Sequence, residues 1–129
     1  MFVRLMAGAA GLALSFAAGV ASAQDYPTRP IAITVPFAAG GPTDTVARTV
    51  ADAMAKHLPG ASIVVENTAG AGGTIGVGKV ARAKADGYSL LVFHIGMATA
   101  PSLYRKLQYN PLEDFEFIGM INEVPMTIM

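Results

Sequence analysis

A repeated order of local patterns constrains the fold of this chain most strongly. Short apolar runs occur at Ile31–Phe37, Ser62–Glu66 and Tyr88–His94, and each is followed by a loop and then by apolar residues at helical spacing. The runs do not alternate between apolar and polar residues, which is typical of strands covered on both faces of a parallel sheet. Parallel neighbours need a long crossover connection, which a helix can supply. The sequence therefore predicts an α/β fold, a three-layer domain with a mainly parallel sheet.

Three helices are predicted to follow the three strands. Apolar residues recur at helical spacing from Val46 to Leu58, and Pro59-Gly60 ends the first helix. The third helix is predicted over about Met97–Leu107, where Pro101 must fall in the first turn or break the helix. The second helix is predicted to end at Asp86-Gly87, and its apolar face comprises Ile75, Val77, Val80, Ala81 and Ala85.

The N-terminal segment has the pattern of an export signal. One early charge, Arg4, precedes an apolar stretch from Leu5 to Val20, and the small-residue triplet Ala21-Ser22-Ala23 closes it. A membrane-spanning helix needs about 18 or more strongly apolar residues, whereas this stretch is shorter and rich in alanine and glycine. We expect a signal peptide over residues 1–23, cleaved after Ala23, and a soluble exported product.

The composition excludes several classes of function. Nine Lys and Arg balance nine Asp and Glu, so no bulk charge attracts nucleic acid or an anionic membrane. The chain has no cysteine, and its two histidines lack neighbours at metal-ligand spacing. Gly70, Gly72 and Gly76 resemble a dinucleotide fingerprint, but they do not directly follow a strand and no acidic residue ends the next one. We expect no catalytic residue, no metal and no cofactor.

The loops that follow the three strands contain AAGGPT, NTAGAGGT and HIGMAT. They must emerge at one edge of a parallel sheet, the edge where open α/β folds bind ligands. These segments carry no charged side chain, so they offer mainly backbone N–H groups. With Gly41 as the N-cap and Pro42 in the first helical position, free amides are expected to point out of the helix start. The expected donors are Gly40, Gly41, Thr43 and Asp44, joined by the glycine-rich run Gly70–Thr74, and they would bind a carboxylate or a phosphate.

Three residue-level alternatives stay open. Glycine-rich loops also serve as tight connections without any ligand. Asp44 interacts with the same helix dipole as an anion would, so we expect a cap that faces away from the ligand, with contact to a ligand amine or hydroxyl as the alternative. His57 is expected on the surface, and His94, at the end of the third strand, either faces the ligand or is buried and hydrogen-bonded.

Three long segments resemble signature segments of the tripartite tricarboxylate transporter receptor family, the periplasmic Bug receptors. They read YPTRPIAITVPFAAGGPTDTVAR, VVENTAGAGGTIGVGKVARAKADGYSLL and LYRKLQYNPLEDFEFIGMI. The resemblance implies a periplasmic, monomeric, two-lobed flytrap protein of the type II periplasmic-binding-protein fold. Such a receptor captures a tricarboxylate, dicarboxylate, amino acid or aromatic acid and passes it to a membrane permease or signals its presence.

The resemblance places the carboxylate-cradling loops at Phe37–Thr43 and Asn67–Thr74, which the sheet geometry selects independently. One departure is His94-Ile95-Gly96-Met97, where similar proteins more often carry small hydroxyl residues and glycine. A histidine there could pair with a second carboxylate or pack on an aromatic ligand. The expected ligand-binding residues are Phe37, Ala38, Ala39, Gly40, Gly41, Thr43, Asn67, Gly72, Gly73, Thr74 and His94.

The final residues, VPMTIM, read as part of a strand and carry no turn signal. We therefore expect residues 24–129 to be the N-terminal part of the first lobe, without the second domain, and to bind weakly by themselves. The alternatives are a fragment of a transferase-like enzyme that acts on an anionic substrate, and a fragment with no independent function.

Overall fold

Strands and helices alternate along residues 26–123, the part of the chain that the computed structural model describes. The strands are β1 (Ile31–Val35), β2 (Ile63–Asn67) and β3 (Ser89–Leu91), and the helices are α1 (Pro42–His57), α2 (Thr74–Ala81) and α3 (Gly96–Leu103). A short 3₁₀ turn, Ala71–Gly73, precedes α2. The expected signal peptide and the final apolar run, residues 124–129, lie outside the described residues.

The three strands form one parallel sheet in the order β2-β1-β3. This confirms the predicted α/β class. The chain moves from β1 to β2 in one direction and then crosses back past β1 to β3. Because such crossovers are nearly always right-handed, this reversal puts α1 and α2 on opposite faces of the sheet. In a parallel sheet of this order the switch point lies between β1 and β3, where the loops that follow these two strands emerge.

The core lies between β1 and α1. Ile33 and Val35 are buried and cluster with Ala47, Ala51 and Val92. Alanines at these positions let the helix backbone approach the sheet closely, so the predicted helical spacing is confirmed for α1. Its predicted start is confirmed as well, with Gly41 as the N-cap and proline in the first turn.

Two strands are shorter than predicted. β1 ends at Val35 because Pro36 follows and has no N–H to donate. The last bond at this end of the β1–β2 pair runs from Thr68 N to Val35 O at 2.8 Å. β3 ends at Leu91, opposite Thr34, because its partner β1 stops one residue later. The prediction that His94 closes the third strand is therefore wrong.

β2 is less buried than predicted. It lies at an edge of the described sheet, so only β1 covers it laterally, and Val64 is 44% exposed. The strand also begins and ends one residue later than the predicted Ser62–Glu66, at Ile63 and Asn67. The uninterrupted apolar pattern of this segment therefore did not mean that the strand is buried on both sides.

The apolar face predicted for the second helix is wrong in part. Ile75 is 55% exposed, and Ala85 lies beyond the end of α2 at Ala81. The buried residues are Val77 with Gly76 and Gly78. The helix therefore packs through glycines on that face, which a pattern of large apolar residues cannot reveal.

The third helix also differs from its prediction. α3 ends at Leu103, and Pro101 is the sixth of its eight residues, neither in the first turn nor a breaker. The bonds of its first turn, from Met97 N to His94 O and from Thr99 N to Ile95 O, do not involve the amide position of Pro101. Within residues 26–123, no helix combines the length and apolarity needed to cross a bilayer.

Candidate functional site

Loops from all three strands meet at the carboxyl edge of the sheet. We call Pro36–Gly41 the first loop, Thr68–Gly73 the second loop and Val92–Ile95 the third loop. The ring of Phe37 stacks on His94 with centroids 4.8 Å apart and on Phe93 at 5.5 Å, each pair 17° from parallel. A Cβ on Gly73 would lie 2.8 Å from the Phe93 ring, so the second loop packs against the third. The predicted convergence of the three loops is confirmed.

Asp44 is the centre of a hydrogen-bond network beneath the first loop. The residue is 2% exposed. Its Oδ2 accepts from the Gly40 amide at 2.8 Å and from Arg48 Nε at 2.9 Å, while Oδ1 accepts from Asn67 Nδ2 at 2.9 Å. Asn67 Nδ2 also donates to the Phe37 carbonyl at 3.1 Å. The network therefore joins the first loop, α1 and the end of β2.

These bonds set the charge state of the carboxylate. The side-chain bond from Arg48, followed by those from the Gly40 amide and Asn67, lowers the pKa of Asp44 from its usual 3.8 to about 2. The same ion pair raises the pKa of Arg48. At neutral pH both groups are charged. The positive charge of Arg48 compensates the negative charge of Asp44, so Asp44 does not strongly repel an anion near the first loop.

The expectation that Gly40 contributes a free amide is wrong, because Asp44 accepts a hydrogen bond from it. Asp44 makes no bond to the N-cap residue Gly41, so the expected cap is not formed in that way; its carboxylate instead holds Gly40, one residue before the N-cap. The first intrahelical bond of α1 runs from Thr45 N to the Gly41 carbonyl at 2.9 Å. The amides of Thr43 and Asp44 precede that bond and have no acceptor inside the helix.

The second loop uses some of its own amides. Gly73 N donates to the Gly70 carbonyl at 2.9 Å, and the Thr74 amide and Oγ1 both donate to the Ala71 carbonyl. Gly72 has a φ of +61°, and a Cβ there would run into the Tyr104 hydroxyl. The second loop is therefore a tight turn that packs near the third loop. It leaves fewer free backbone amides than its glycine content suggests.

Several predicted site residues are placed at this edge by the structure, with different roles. Ala38 and Ala39 are exposed on the first loop, and Thr43 is half-buried in the first turn of α1. The side chain of Asn67 is engaged at both ends, since its Oδ1 also accepts from Arg48 Nη2 at 3.3 Å. The geometry therefore gives Asn67 a positioning role and does not support direct ligand contact through its side chain.

The sequence analysis missed three residues that shape this edge, namely Arg48, Phe93 and Tyr104. Arg48 could have been found, because it stands four residues after Asp44 on the same helix, a spacing that favours ion pairs. Phe93 and Tyr104 carry no comparable local signal. Their contacts with the second loop depend on the packing of separate segments.

The site is an open surface in this chain. The described residues include no group of three metal-ligating side chains. A recess of about 560 Å³ between α3 and the segment after it is lined by Met97, Ala98, Pro101, Leu107, Tyr109, Asn110, Pro111 and Leu112. None of the expected ligand-binding residues lines that recess.

Comparisons with known proteins agree with this geometry. The sequence model of the tripartite tricarboxylate transporter family receptor matches residues 46–129. A relative from Agrobacterium vitis, described as a UPF0065 protein in the TAR-I ttuE-ttuC' intergenic region, is 58% identical over 111 residues, or 85% of this chain and 32% of the relative.

Solved structures show the same fold. The periplasmic binding protein BugD is 58% identical with a TM-score of 0.67, over 70% of this chain and 30% of that one. MatC from Rhodopseudomonas palustris, solved with bound malate, is 49% identical with a TM-score of 0.66, over 70% of this chain and 31% of that one. The chain spans about a third of the length of these relatives.

Proposed function

Because the chain belongs to the tripartite tricarboxylate transporter receptor family, we propose that it forms one wall of a periplasmic binding site for a small carboxylate. In this proposal the chain is exported, its signal peptide is removed after Ala23, and residues 24–129 form part of a first lobe. The bound carboxylate is passed to a membrane permease or sensed, and the chain acts as a monomeric receptor without chemical turnover.

The observation that carries the proposal is the first turn of α1. The amides of Thr43 and Asp44 have no intrahelical acceptor, and they stand at the positive end of a sixteen-residue helix. The one acidic side chain in that turn is neutralised by Arg48. A helix start at the switch point of a parallel sheet is therefore left able to accept an anion. The malate bound to MatC makes malate the first ligand to test.

We expect weak binding from this chain. Binding at micromolar concentration needs about 8 kcal/mol net of ordering costs, and a single open face of backbone amides falls short of that. Titration of the ¹⁵N-labelled chain with malate should shift the amide resonances of Thr43 and Asp44, with a Kd of about 1 mM or weaker. Malamide, the neutral diamide, should cause no such shifts.

A matched pair of charge insertions locates the site. Ala38 is exposed on the first loop and Ala53 is exposed on α1. Ala38→Asp should weaken malate binding about fivefold to tenfold by repulsion of the anion, whereas Ala53→Asp should leave the affinity unchanged. Equal effects of the two substitutions would contradict the proposed site.

The enzyme alternative is tested in the same samples. Malate recovered after denaturation of the protein should be chemically unchanged by NMR. Time-dependent conversion of malate by the native chain would contradict the receptor proposal and support the enzyme alternative.

A further inference from the structure

His94 is held in one orientation by its neighbours. The Gly96 amide donates to His94 Nδ1 at 2.9 Å. A Cβ on Gly96 would lie 2.9 Å from His94 Cε1 and 2.9 Å from Phe93 Cζ. Residue 96 must therefore remain glycine for both rings to stay in place.

The hydrogen bond from Gly96 determines the tautomer of His94. A backbone N–H can donate only to an unprotonated ring nitrogen, so Nδ1 carries no proton and the neutral ring carries its proton on Nε2. Nε2 lies on the edge of the ring away from the Gly96 amide. Since His94 is exposed, that edge offers a hydrogen-bond donor at the carboxyl end of the sheet.

The His94 ring packs against two phenylalanine rings. Its centroid lies 4.8 Å from that of Phe37 and 4.7 Å from that of Phe93, and its plane is within about 20° of parallel to both. Because the Phe37 and Phe93 centroids are only 5.5 Å apart, these two rings do not cover opposite faces of His94, and together they join the third loop to the first. The Nε2–H donor and the remaining ring surface are therefore two separate ways to contact a ligand, which the variants below distinguish.

We propose that His94 is a specificity-determining residue that selects ligands with a second hydrogen-bond acceptor, such as a second carboxylate. The amides at the start of α1 hold the first carboxylate, and His94 Nε2–H donates to an acceptor at the other end of the ligand. This inference rests on the proposed function. It adds a donor with a fixed direction to a site that otherwise consists mainly of backbone amides.

The tautomer is tested first, without any ligand. A long-range ¹H–¹⁵N correlation spectrum of the whole ¹⁵N-labelled chain at neutral pH should show His94 with its proton on Nε2. A proton on Nδ1 would overturn the inference and leave the carboxylate-binding proposal intact.

Ligand selection is tested with succinate and butyrate, which differ in the second carboxylate. His94→Phe keeps an aromatic ring and removes the donor, and it should weaken succinate binding about tenfold while butyrate binding stays unchanged. His94→Gln keeps a donor without the ring and should retain most of the preference for succinate.

Each remaining outcome decides between explanations. Equal losses for succinate and butyrate in His94→Phe would overturn the inference, because they would show a structural role. A larger loss for benzoate than for succinate in His94→Gln would overturn it in favour of a stacking surface. Failure of both succinate and butyrate to bind the unmodified chain would overturn the inference together with the proposed function.

Discussion

At the scale of single residues, Asp44 decides how the first loop is held. Its carboxylate accepts bonds from a loop amide, from Arg48 on the same helix and from Asn67 on β2. A shorter or uncharged side chain could not satisfy three donors from three segments at once. The residue therefore stabilises the shape of the site, and its ion pair keeps its charge from competing with an anionic ligand.

The substitution Asp44→Asn should destabilise the chain, because an amide cannot accept the bonds of Gly40 and Arg48 at a single nitrogen. We expect a fall in Tm of about 5–10 °C, measured by circular dichroism. Asp52, which is exposed on the same helix, provides the control, and Asp52→Asn should leave the Tm nearly unchanged. An unchanged Tm with much tighter anion binding in Asp44→Asn would instead show that the charge competes at the site.

Acid should remove the advantage of Asp44. The pKa of this carboxyl is lowered in the folded state from its usual 3.8 to about 2, so its contribution to stability is complete above pH 3.8 and disappears as the pH falls to about 2. We expect the difference in Tm between the wild-type chain and Asp44→Asn to shrink across that window. A difference independent of pH between 4 and 2 would show that the carboxylate charge contributes nothing to folding.

At the scale of elements, α2 packs through glycine. A Cβ on Gly76 would lie 2.8 Å from both Pro36 Cβ and the Thr68 carbonyl oxygen, so a rigid proline ring and a backbone oxygen exclude a side chain. At Gly78 the nearest atom to a Cβ would be Arg82 Nη1 at 3.4 Å, the end of a flexible side chain. Both glycines are buried in one helix, but only one of them is required by its surroundings.

This difference gives the two alanine substitutions opposite signs. Gly78→Ala should stabilise the chain by up to about 1 kcal/mol, because alanine favours the helix. Gly76→Ala should destabilise it by about 1–3 kcal/mol, because overpacking outweighs the same gain in propensity. Urea unfolding measures both changes. Similar values for the two variants would show that the close approach of α2 to Pro36 does not determine its position.

At the scale of the whole molecule, the segment after α3 differs from the core. Several large apolar side chains in it are highly exposed, including Leu112 at 85%, Phe117 at 68%, Ile118 at 86% and Met120 at 77%. By contrast, the β1 core residues Ile31 and Val35 are fully buried. The free energy of folding of the described residues therefore comes mainly from the sheet and the two helices that pack on it.

Substitution of apolar residues in this exposed segment should reduce aggregation of the protein and leave its thermal stability nearly unchanged. In Phe117→Ser/Ile118→Ser, we expect a Tm within about 2 °C of the wild type and less non-specific aggregation at high protein concentration, measured by light scattering. Ile33→Ser is the buried counterpart and should unfold or strongly destabilise the chain. A large loss of Tm in the double variant would show that this segment packs against the core in solution.

Much of the fold follows from local patterns. The apolar run around Ile33, the helical spacing of apolar residues in α1 and the Gly41-Pro42 start are all set by interactions within a few residues, and their predictions are confirmed. Strand ends are less predictable, because they depend on the partner strand: β3 ends at Leu91, one pair before the end of β1. The convergence of the three loops follows from parallel topology alone, and the ring contacts of Phe37 confirm it.

The sequence by itself determined the class of fold, the edge of the sheet that carries the site and the glycine-rich nature of its loops. Those properties depend on periodicity and on the fixed direction of parallel strands. Only the tertiary structure decided which donors are free. The Gly40 amide already donates to Asp44, and the Asn67 side chain is already bonded to Asp44 and Arg48. The tertiary structure also decided the orientation of His94, which packs against two phenylalanine rings. Hydrogen bonds that depend on the conformation of a loop, or that join residues distant in the sequence, leave no periodic signal, and the free donors of a site are those that such bonds do not use.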